Sequence, residues 1–316
     1  MNARTLPMPP IADDVEAGLL SSPKSLPPRL FYDARGSELF EQITALPEYY
    51  LTSTERSILE LNAAEMIEAA GKDLRVVELG AGSATKTVIL LRELARQQGK
   101  AIFYPVDVSS AAMEEADERL RRVIPGIELH PVVADYTQGL PFLHSLPGRK
   151  LILYIGSSIG NFEPLQASAI LAGVRASMSP GDAVLLGTDM RKSPKRLIPA
   201  YDDAAGVTAA FNKNILSRIN RELNAEFDLD RFAHRAIWNS DLSRMEMHLE
   251  SLISQQIQIR DLGVSVSFSP GETIHTENSY KFSMPMIDSI AANAGLTVER
   301  TWSDPRKWFT VNLLRS

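Results

Sequence analysis

The sequence predicts an α/β protein, in which a doubly wound open sheet carries an inserted α+β segment. Strands and helices alternate regularly from residue 74 to about residue 190. Residues 195–227 then read as a helix and residues 244–282 as alternating strands, and residues 283–316 return to a helix and two strands. Regular alternation of strands and helices is typical of a parallel sheet that helices cover on both faces.

The first strand of the predicted sheet ends at a glycine-rich turn. Gly80 and Gly82 follow the largely apolar run 75–79, and a helix-forming segment begins directly after them. Glycine lets the backbone turn sharply and approach a ligand, and a helix N-terminus offers unpaired N–H groups. Thr85 occupies the position of the third glycine in the GxGxxG pattern. The turn therefore predicts a nucleoside cofactor without a diphosphate.

The next strands also end in residues suited to ligand binding. A second strand ends at Asp107, close to the spacing of roughly 20 residues at which a ribose-binding acid follows such a glycine turn. A third strand, 129–135, ends at Asp135 before Tyr136, and a fourth, 150–156, leads into a turn that contains Asn161. Open α/β sheets bind ligands at the carboxyl ends of their strands, so we expect these residues along one edge.

Composition narrows the classes of protein without selecting one function. The 316 residues are 44% hydrophobic, contain no cysteine and carry a net charge of −6. Disulfides and thiolate metal sites are thereby excluded, and nucleic acid is not generally attracted. No apolar run approaches the ~18 residues of a membrane span, and the N-terminus lacks a signal pattern. We expect a cytoplasmic monomer. We also expect no metal site, because the five histidines are scattered along the sequence.

The pattern divides the chain into two domains and a tail. A cofactor domain is predicted at 54–190 and 283–316, and a substrate domain at 13–53 and 191–282. Residues 1–12 are expected to be mobile, and the Pro-rich stretch after them is expected to form a strap. Residues 29–70 are predicted to be helical, with a capping signature at Ser53, Thr54 and Glu55, and a further helix is expected around Tyr201 to Leu223.

Two strands of the inserted segment carry candidate substrate residues. Alternation from residue 244 to 250 places Met247 on the same face as Met245 and Leu249, which is also the pattern of ordinary core packing. Glu277 and Ser279 are two residues apart, so they project from one face of an extended strand. A carboxylate beside a hydroxyl can bond both ring nitrogens of an imidazole, although an exposed polar strand has the same pattern.

Longer strings resemble known families. The Glu78-Leu-Gly-Ala-Gly82 run, Asp107 and Asp135 resemble the cofactor motifs of class I S-adenosylmethionine-dependent methyltransferases, which have a Rossmann-like fold. From about residue 15 to the C-terminus, the chain resembles the histidine-specific methyltransferases of ergothioneine biosynthesis. The strings that carry this resemblance are 31–40, 46–50, 155–161 and 200–212.

The resemblance implies a role for each matching residue. The implied cofactor residues are Gly80 and Lys86 at the methionine end, Gly82 in the same turn, Asp107 at the ribose, and Asp135 and Tyr136 at the adenine. The implied substrate residues are Asn161, the Gly156 main chain and Tyr49 at the α-amine, Tyr32 and Tyr201 at the carboxylate, and Met247, Glu277 and Ser279 around the imidazole. Asn161 and Tyr49 are the two implied catalytic residues. At position 136 the family carries phenylalanine, and either ring can stack on adenine.

The implied activity is the transfer of three methyl groups from S-adenosylmethionine to the α-nitrogen of L-histidine, which gives hercynine. Two alternatives stay open. The protein could methylate an indole or other aromatic amino acid, although an indole offers one N–H donor and no acceptor to Glu277 and Ser279. It could also be a regulator that binds the cofactor without turnover. The acidic balance, and the absence of an Asn/Asp-Pro-Pro-Tyr/Phe string, disfavour a nucleic-acid methyltransferase.

Overall fold

A computed structural model describes residues 4–5 and 11–316, which divide into two compact units. The first unit contains 4–5, Leu51–Arg191 and Lys281–Ser316, and the second contains 11–50 and Lys192–Tyr280. The sequence placed the corresponding boundaries at 54, 190 and 283, and the binding roles that it gave to the two domains stay predictions.

The described residues form nine α-helices and fifteen β-strands, connected by short 3₁₀ turns. The helices are α1 (Ile11–Leu19), α2 (Ala34–Thr44), α3 (Tyr50–Ala70), α4 (Thr87–Gln98), α5 (Ser110–Val123), α6 (Pro164–Ala176), α7 (Pro194–Leu197), α8 (Val207–Leu223) and α9 (Met284–Asn293). The strands are β1 (Arg4–Thr5), β2 (Lys24–Ser25), β3 (Leu74–Leu79), β4 (Ile102–Asp107), β5 (Glu128–Leu129), β6 (Val132–Val133), β7 (Arg149–Tyr154), β8 (Ala183–Asp189), β9 (Phe232–Asn239), β10 (Arg244–Ser251), β11 (Gln255–Ile259), β12 (Val264–Phe268), β13 (Thr273–Tyr280), β14 (Thr297–Ser303) and β15 (Phe309–Arg315).

The first unit is built on one large sheet. Its strand order is β1-β6-β4-β3-β7-β8-β15-β14, and β5 also pairs with β4. The strands from β1 to β8 in this order are parallel, whereas β15 runs antiparallel to both β8 and β14. Strands β7 and β8 are buried along almost their whole lengths, as expected of a sheet covered on both faces. This confirms the doubly wound, class I methyltransferase-like fold, including the reversed strand near the C-terminus.

The second unit is an α+β structure. Strands β2, β13, β10 and β9 form a sheet in that order, and β11 pairs with β12 in a separate hairpin. Helix α8 contacts β9 and β10 and buries Phe211, Ile215 and Leu216. Along β10, the odd-numbered residues from Met245 to Ser251 are buried and the even-numbered ones are half-exposed. The alternation predicted for this strand is therefore confirmed.

The N-terminal region differs from the sequence prediction. The mobile segment predicted at 1–12 falls largely on residues 1–3 and 6–10, which lie outside the described residues. The predicted strap is wrong in its first part, because helix α1 begins at Ile11 and buries Val15 and Leu19. The sequence did not predict this short helix, because it lies in a Pro-rich region and its two buried residues, four positions apart, give little periodicity.

Three other elements differ from prediction for local reasons. The strand predicted at 129–135 is split into β5 and β6 around Pro131, because proline offers no N–H to the ladder. The helix predicted around Tyr201 begins only at Val207, where the Asp203 carboxylate accepts the backbone N–H groups of Val207 and Thr208 at 2.9 and 2.7 Å. Strand β9 was not predicted, because most of its residues are half-exposed and lack a clear alternation.

The capping signature predicted at Ser53, Thr54 and Glu55 is wrong. Helix α3 begins at Tyr50, so these residues lie inside it, and both Thr54 and Glu55 are buried. A Ser/Thr followed by Glu resembles a cap in sequence, but only the backbone position decides whether the side chains face free N–H groups.

In the described part of the chain, no helix is long and apolar enough to span a bilayer.

Candidate functional site

The glycine turn of the first unit is shaped by hydrogen bonds to the neighbouring strand. Gly80 and Gly82 have φ angles of 68° and 49°, in the left-handed region that favours glycine. The N–H groups of Gly80 and Ala81 both donate to the Val106 carbonyl, at 2.9 and 3.0 Å. The Gly82 N–H donates to Asp107 Oδ2 at 2.8 Å. The turn and the acid predicted to bind ribose are therefore in direct contact.

Asp107 holds two loops at the carboxyl edge of the sheet. Besides the bond from Gly82, its Oδ1 accepts the Ser109 N–H at 2.9 Å, at the start of α5. Burial raises the pKa of Asp107 above its ordinary value, and the backbone N–H groups of Ser109 and Gly82 oppose that shift. A half-buried carboxylate that already accepts two backbone N–H groups fits a ligand that presents further hydroxyl donors, such as a ribose diol.

We expect the Asp107→Ala substitution to weaken cofactor binding while the fold persists. Hydrogen bonds to a charged group contribute about 1.5 to 3 kcal/mol, so the dissociation constant for S-adenosylmethionine should rise roughly 10- to 100-fold. Isothermal titration calorimetry measures this directly. Asp288→Ala, at an exposed position of α9 in the same unit, is the matched control. Unchanged affinity in Asp107→Ala would remove this residue from the cofactor site.

A second acid, Glu78, lies buried beneath the same turn. It is 3% exposed, and the Thr87 hydroxyl lies 2.7 Å from each of its carboxyl oxygens. Burial raises the pKa of Glu78 from 4.5 to about 8, against the opposing effects of the Thr87 hydroxyl and of Lys86. Glu78 is therefore a neutral acid at pH 7 and supports the turn from inside the core.

The raised pKa of Glu78 predicts a pH dependence of stability. In the unfolded chain the side chain ionises above its ordinary pKa of 4.5, whereas in the folded protein it stays protonated up to about pH 8. Its contribution to the free energy of unfolding is therefore complete below pH 4.5 and is lost as the pH rises to 8, by about 1.4 kcal/mol per pH unit at most. The Glu78→Gln variant should lose less stability than wild type between pH 5 and pH 8, as measured by urea unfolding. Identical pH dependence in the two proteins would contradict the assignment.

Asp135 and Tyr136 follow β6 at the same edge of the sheet. Asp135 Oδ1 accepts hydrogen bonds from Thr137, from the backbone N–H at 2.9 Å and the hydroxyl at 2.6 Å. The Tyr136 hydroxyl lies 3.3 Å from that of Tyr154, and burial raises the pKa of Tyr136 to about 12, so the ring stays neutral. A Cβ built on Gly80 would lie 3.6 Å from the Tyr136 ring. The Tyr136 ring therefore packs directly beside the glycine turn.

Asn161 ends a strained turn after β7. Gly156 and Ser157 both have positive φ angles, of 79° and 60°, and the Ser157 Oγ accepts the Asp189 N–H at 2.9 Å. A non-glycine residue in this conformation costs free energy and is typical of functional loops. Asn161 is half-buried, and its side-chain amide has no hydrogen-bond partner among the residues that the structure describes. The turn is thus held firmly while this amide remains available to a ligand.

Lys86 lies against the same turn. A Cβ built on Gly156 would stand 3.3 Å from the Lys86 ammonium. Lys86 forms an ion pair with Glu55, and the Glu55 carboxylate also accepts the Gly156 N–H. The first unit thus contains two groups of predicted residues that lie close together. One group is Gly80, Gly82 and Asp107, and the other is Lys86 and Gly156.

In the second unit, the predicted ring-binding residues share one face of the sheet. Met247 pairs directly with Glu277 across β10 and β13, and Met245 pairs with Ser279. Directly paired residues of antiparallel strands project to the same side. The Glu277 carboxylate and the Ser279 hydroxyl therefore lie on the face of the sheet that carries Met245 and Met247, which we call the methionine face. The prediction that Glu277 and Ser279 share a face is confirmed by this register. Their roles toward a substrate stay predictions.

The three predicted tyrosines belong to one aromatic cluster. The Tyr49 and Tyr201 rings lie 6.4 Å apart edge to face, and the Tyr201 hydroxyl bonds the Ser279 hydroxyl at 2.7 Å. Tyr32 reaches the cluster through Phe40 and Phe211, whose ring centroids lie 5.8 and 5.9 Å from its own. Edge-to-face packing fixes ring orientation, so Phe40 and Phe211 hold the phenol group of Tyr32 in place. Both phenylalanines lie within the strings that carry the family resemblance, and no role was predicted for either.

A buried polar network supports β13 and was not predicted. Asn212 is fully buried; its amide nitrogen donates to His234 Nδ1 at 2.9 Å and to the His248 carbonyl at 3.0 Å. Its oxygen accepts the Thr276 hydroxyl at 2.7 Å, where a bulge shifts the register of β13 against β10. His234 Nε2 bonds the Tyr201 carbonyl at 2.8 Å, and burial lowers the pKa of His234. The bulge brings Glu277 opposite Met247, and the Asn212 amide bonds the bulged residue, Thr276, at that point.

The histidines are less scattered in the structure than in the sequence. His248 pairs with His275 across β10 and β13, and their ring centroids lie 4.8 Å apart. Within residues 4–5 and 11–316, however, no group of three or more His, Cys, Asp or Glu side chains could hold a metal ion. The pair therefore gives no candidate metal centre in that part of the chain.

Comparison with known proteins supports the same reading of the sequence. Residues 11–316 match the family described as histidine-specific, S-adenosylmethionine-dependent methyltransferases. A histidine N-alpha-methyltransferase of Mycolicibacterium smegmatis is 45% identical over 300 residues, which cover 95% of this chain and 93% of that protein. One from Mycobacterium tuberculosis is 42% identical over 302 residues, with coverage of 95% and 93%. Ergothioneine biosynthesis protein 1 of Neurospora crassa is 37% identical over 204 residues, which cover 63% of this chain and 23% of that protein. The resemblance noted in the sequence is confirmed: the chain belongs to the histidine-specific methyltransferase family and is an S-adenosylmethionine-dependent N-methyltransferase.

Proposed function

We propose that this protein transfers three methyl groups from S-adenosylmethionine to the α-nitrogen of L-histidine. The product is Nα,Nα,Nα-trimethylhistidine, hercynine, and the reaction is the first step of ergothioneine biosynthesis. The observation that carries the proposal is the pairing of Glu277 with Met247, beside Ser279, on one buried strand face. Two relatives above 40% identity that bear the name histidine N-alpha-methyltransferase support the same substrate.

The methionine face suits an imidazole better than an indole. A carboxylate accepts a hydrogen bond from one ring N–H, and a serine hydroxyl donates to the other ring nitrogen, so Glu277 and Ser279 together match neutral imidazole. An indole has no second ring nitrogen, so it would offer no acceptor to the Ser279 hydroxyl. Met247 supplies an adaptable apolar wall next to both polar groups.

The remaining polar residues are assigned to the amino acid's common groups. In the first unit, the unpartnered Asn161 amide and the Gly156 main chain are assigned to the α-amine. In the second, Tyr32 and Tyr201 are assigned to the carboxylate and Tyr49 to the amine. S-adenosylmethionine, when bound, supplies an electrophilic methyl carbon for in-line displacement. The cofactor is assigned to the glycine turn and its surroundings, because the Asp107 carboxylate ends the adjoining strand and the Tyr136 ring packs beside the turn. The assigned residues are Gly80, Gly82 and Lys86 for the methionine end and the turn, Asp107 for the ribose, and Asp135 and Tyr136 for the adenine.

The chain's own contribution is alignment of a neutral amine. A protonated amine has no lone pair, so the site must bind the free base or remove a proton. The Tyr49 hydroxyl oxygen is assigned to accept a hydrogen bond from the amine N–H, and the proton passes to bulk solvent through this hydroxyl or through water. Correct placement alone accounts for about 7 to 11 kcal/mol of barrier in ideal intramolecular reactions. After the third transfer the amine has no N–H group left. A tyrosine face then attracts the fixed positive charge of the product.

One assay separates the proposed function from both alternatives, since each alternative predicts that histidine stays unmethylated. The purified protein is incubated with S-adenosylmethionine and L-histidine, and products are followed by mass spectrometry with fragmentation. We expect successive gains of one, two and three methyl groups, all located on the α-nitrogen. Methyl groups on the imidazole, or accumulation that stops at one methyl group, would contradict the proposal. We further propose a cytoplasmic monomer, which gel filtration and cell fractionation test.

A further inference from the structure

Glu55 is a buried carboxylate that the assignments above leave without a role. It lies in α3, and its side chain has no exposed surface. Its Oε2 pairs with the Lys86 ammonium, and the Gly156 N–H lies 2.8 Å from Oε1 and 3.0 Å from Oε2. A buried charge is costly unless it is paired and hydrogen-bonded, and both partners of Glu55 come from loops at the edge of the sheet.

We propose that Glu55 is a positioning residue, which holds the cofactor lysine and the amine-binding turn in place through one carboxylate. The inference rests on the proposed function, because that function assigns Lys86 to the methionine end of the cofactor and the Gly156 turn to the substrate amine. Glu55 acts through Lys86 at one oxygen and through the Gly156 peptide at both.

The packing around Glu55 is built to admit this carboxylate. A Cβ on Gly187 in β8 would stand 2.3 Å from Glu55 Oε1, 3.1 Å from the Ile155 Cα and 3.3 Å from the Gly156 nitrogen. Gly187 has an ordinary φ angle, so space and not backbone conformation requires glycine here. Likewise, a side chain on Gly156 would crowd the Lys86 ammonium at 3.3 Å. Two glycines therefore leave room for one acid and its lysine.

The two partners of Glu55 predict a separation of kinetic effects. Glutamine at position 55 keeps an oxygen that accepts the Gly156 N–H but loses the charge that attracts Lys86. Alanine loses both. A methyl group at Gly187 leaves the charge in place but disrupts the contact between the carboxylate and the Gly156 turn, because it crowds both the carboxylate and the turn's backbone. We therefore expect cofactor affinity to depend on the negative charge at position 55, and turnover to depend on the contact between that side chain and the Gly156 turn.

The experiment measures the dissociation constant for S-adenosylmethionine and the kcat with histidine in three variants and a control. In Glu55→Gln we expect about a tenfold weaker cofactor affinity with kcat within about threefold of wild type, since a tenfold change corresponds to the loss of one moderate charge interaction. In Gly187→Ala we expect kcat to fall at least tenfold with smaller loss of affinity, because small misplacements of a reactant are costly. Glu55→Ala should lose both, and glutamine should restore kcat alone. Glu60→Gln, at an exposed position of the same helix, is the matched control.

Several outcomes would overturn the inference. Wild-type values in both Glu55 variants would show that the carboxylate positions nothing. Equal losses of kcat and affinity in Glu55→Gln and Glu55→Ala, in proportion to lost thermal stability, would show a purely structural role. If Glu55→Ala does not fold, Glu55→Gln and Gly187→Ala still test the separation. If wild type itself does not methylate histidine, the proposed function fails, whereas the affinity shift in Glu55→Gln still tests the Lys86 contact.

Discussion

Replacing Glu277 by alanine is expected to raise the KM for histidine strongly and to narrow the preference for histidine over tryptophan and phenylalanine. The carboxylate lies on the methionine face opposite Met247, beside the Ser279 and Tyr201 hydroxyl pair. Without it, an imidazole N–H would enter an apolar face unpaired. Sites built to hydrogen-bond a polar group discriminate by about 10⁴ against analogues that lack it, so the loss should be large.

Relative kcat/KM values for the three amino acids, measured side by side, check this prediction. Glu250→Ala is the matched control, because Glu250 lies on β10 but projects from the opposite face and pairs with Arg235. The control should keep the wild-type ratios. Unchanged ratios in the Glu277 variant would show that the imidazole is recognised by other residues.

The second large effect is expected at Asn161. The Asn161→Ala variant should lose about 100-fold in turnover, because an error of about 1 Å in placing the amine has a cost of that size. Its affinity for S-adenosylmethionine should change little, since the residue ends the turn after β7 and is assigned to the amine alone.

Turnover at saturating histidine and cofactor calorimetry separate these two expectations. Asn293→Ala, at an exposed position of α9 in the same unit, provides the control. Near wild-type turnover in Asn161→Ala would remove the residue from the site. A large loss of cofactor affinity would move it to the cofactor instead.

The sequence predicts the parallel part of the first unit's sheet well, because β3, β4, β7 and β8 are short apolar runs that end at or just before a glycine or an acid. The Gly80 turn and the Asp107 carboxylate were read as neighbours from spacing alone, and the structure joins them by a hydrogen bond. Parallel strands constrain where their carboxyl ends lie, so local pattern is enough at this edge. The buried face of β10 could also be predicted, because apolar and polar residues alternate along this strand with a period of two.

The supporting residues could not be predicted in the same way. Glu55 looks like part of a helix cap in sequence, yet it is buried inside α3 and bonds residues distant in the chain. Asn212 lies in a motif that the family shares, but its link to the bulge at Thr276 depends on the register of two strands. Single-sequence patterns carry information about neighbours along the chain, whereas these contacts are set by tertiary packing. A buried polar residue amid an apolar helix face is the one signal that could have found Asn212.

Competition among amino acids tests the central claim most directly. The purified protein is incubated with S-adenosylmethionine and an equimolar mixture of the twenty amino acids, and the masses of all of them are read before and after. Selective recognition of an imidazole by Glu277 and Ser279 predicts that histidine alone gains methyl groups and that it is carried to the trimethylated form. Methylation of tryptophan or another amino acid while histidine is unchanged, or binding of S-adenosylmethionine with no amino acid altered, would contradict the account.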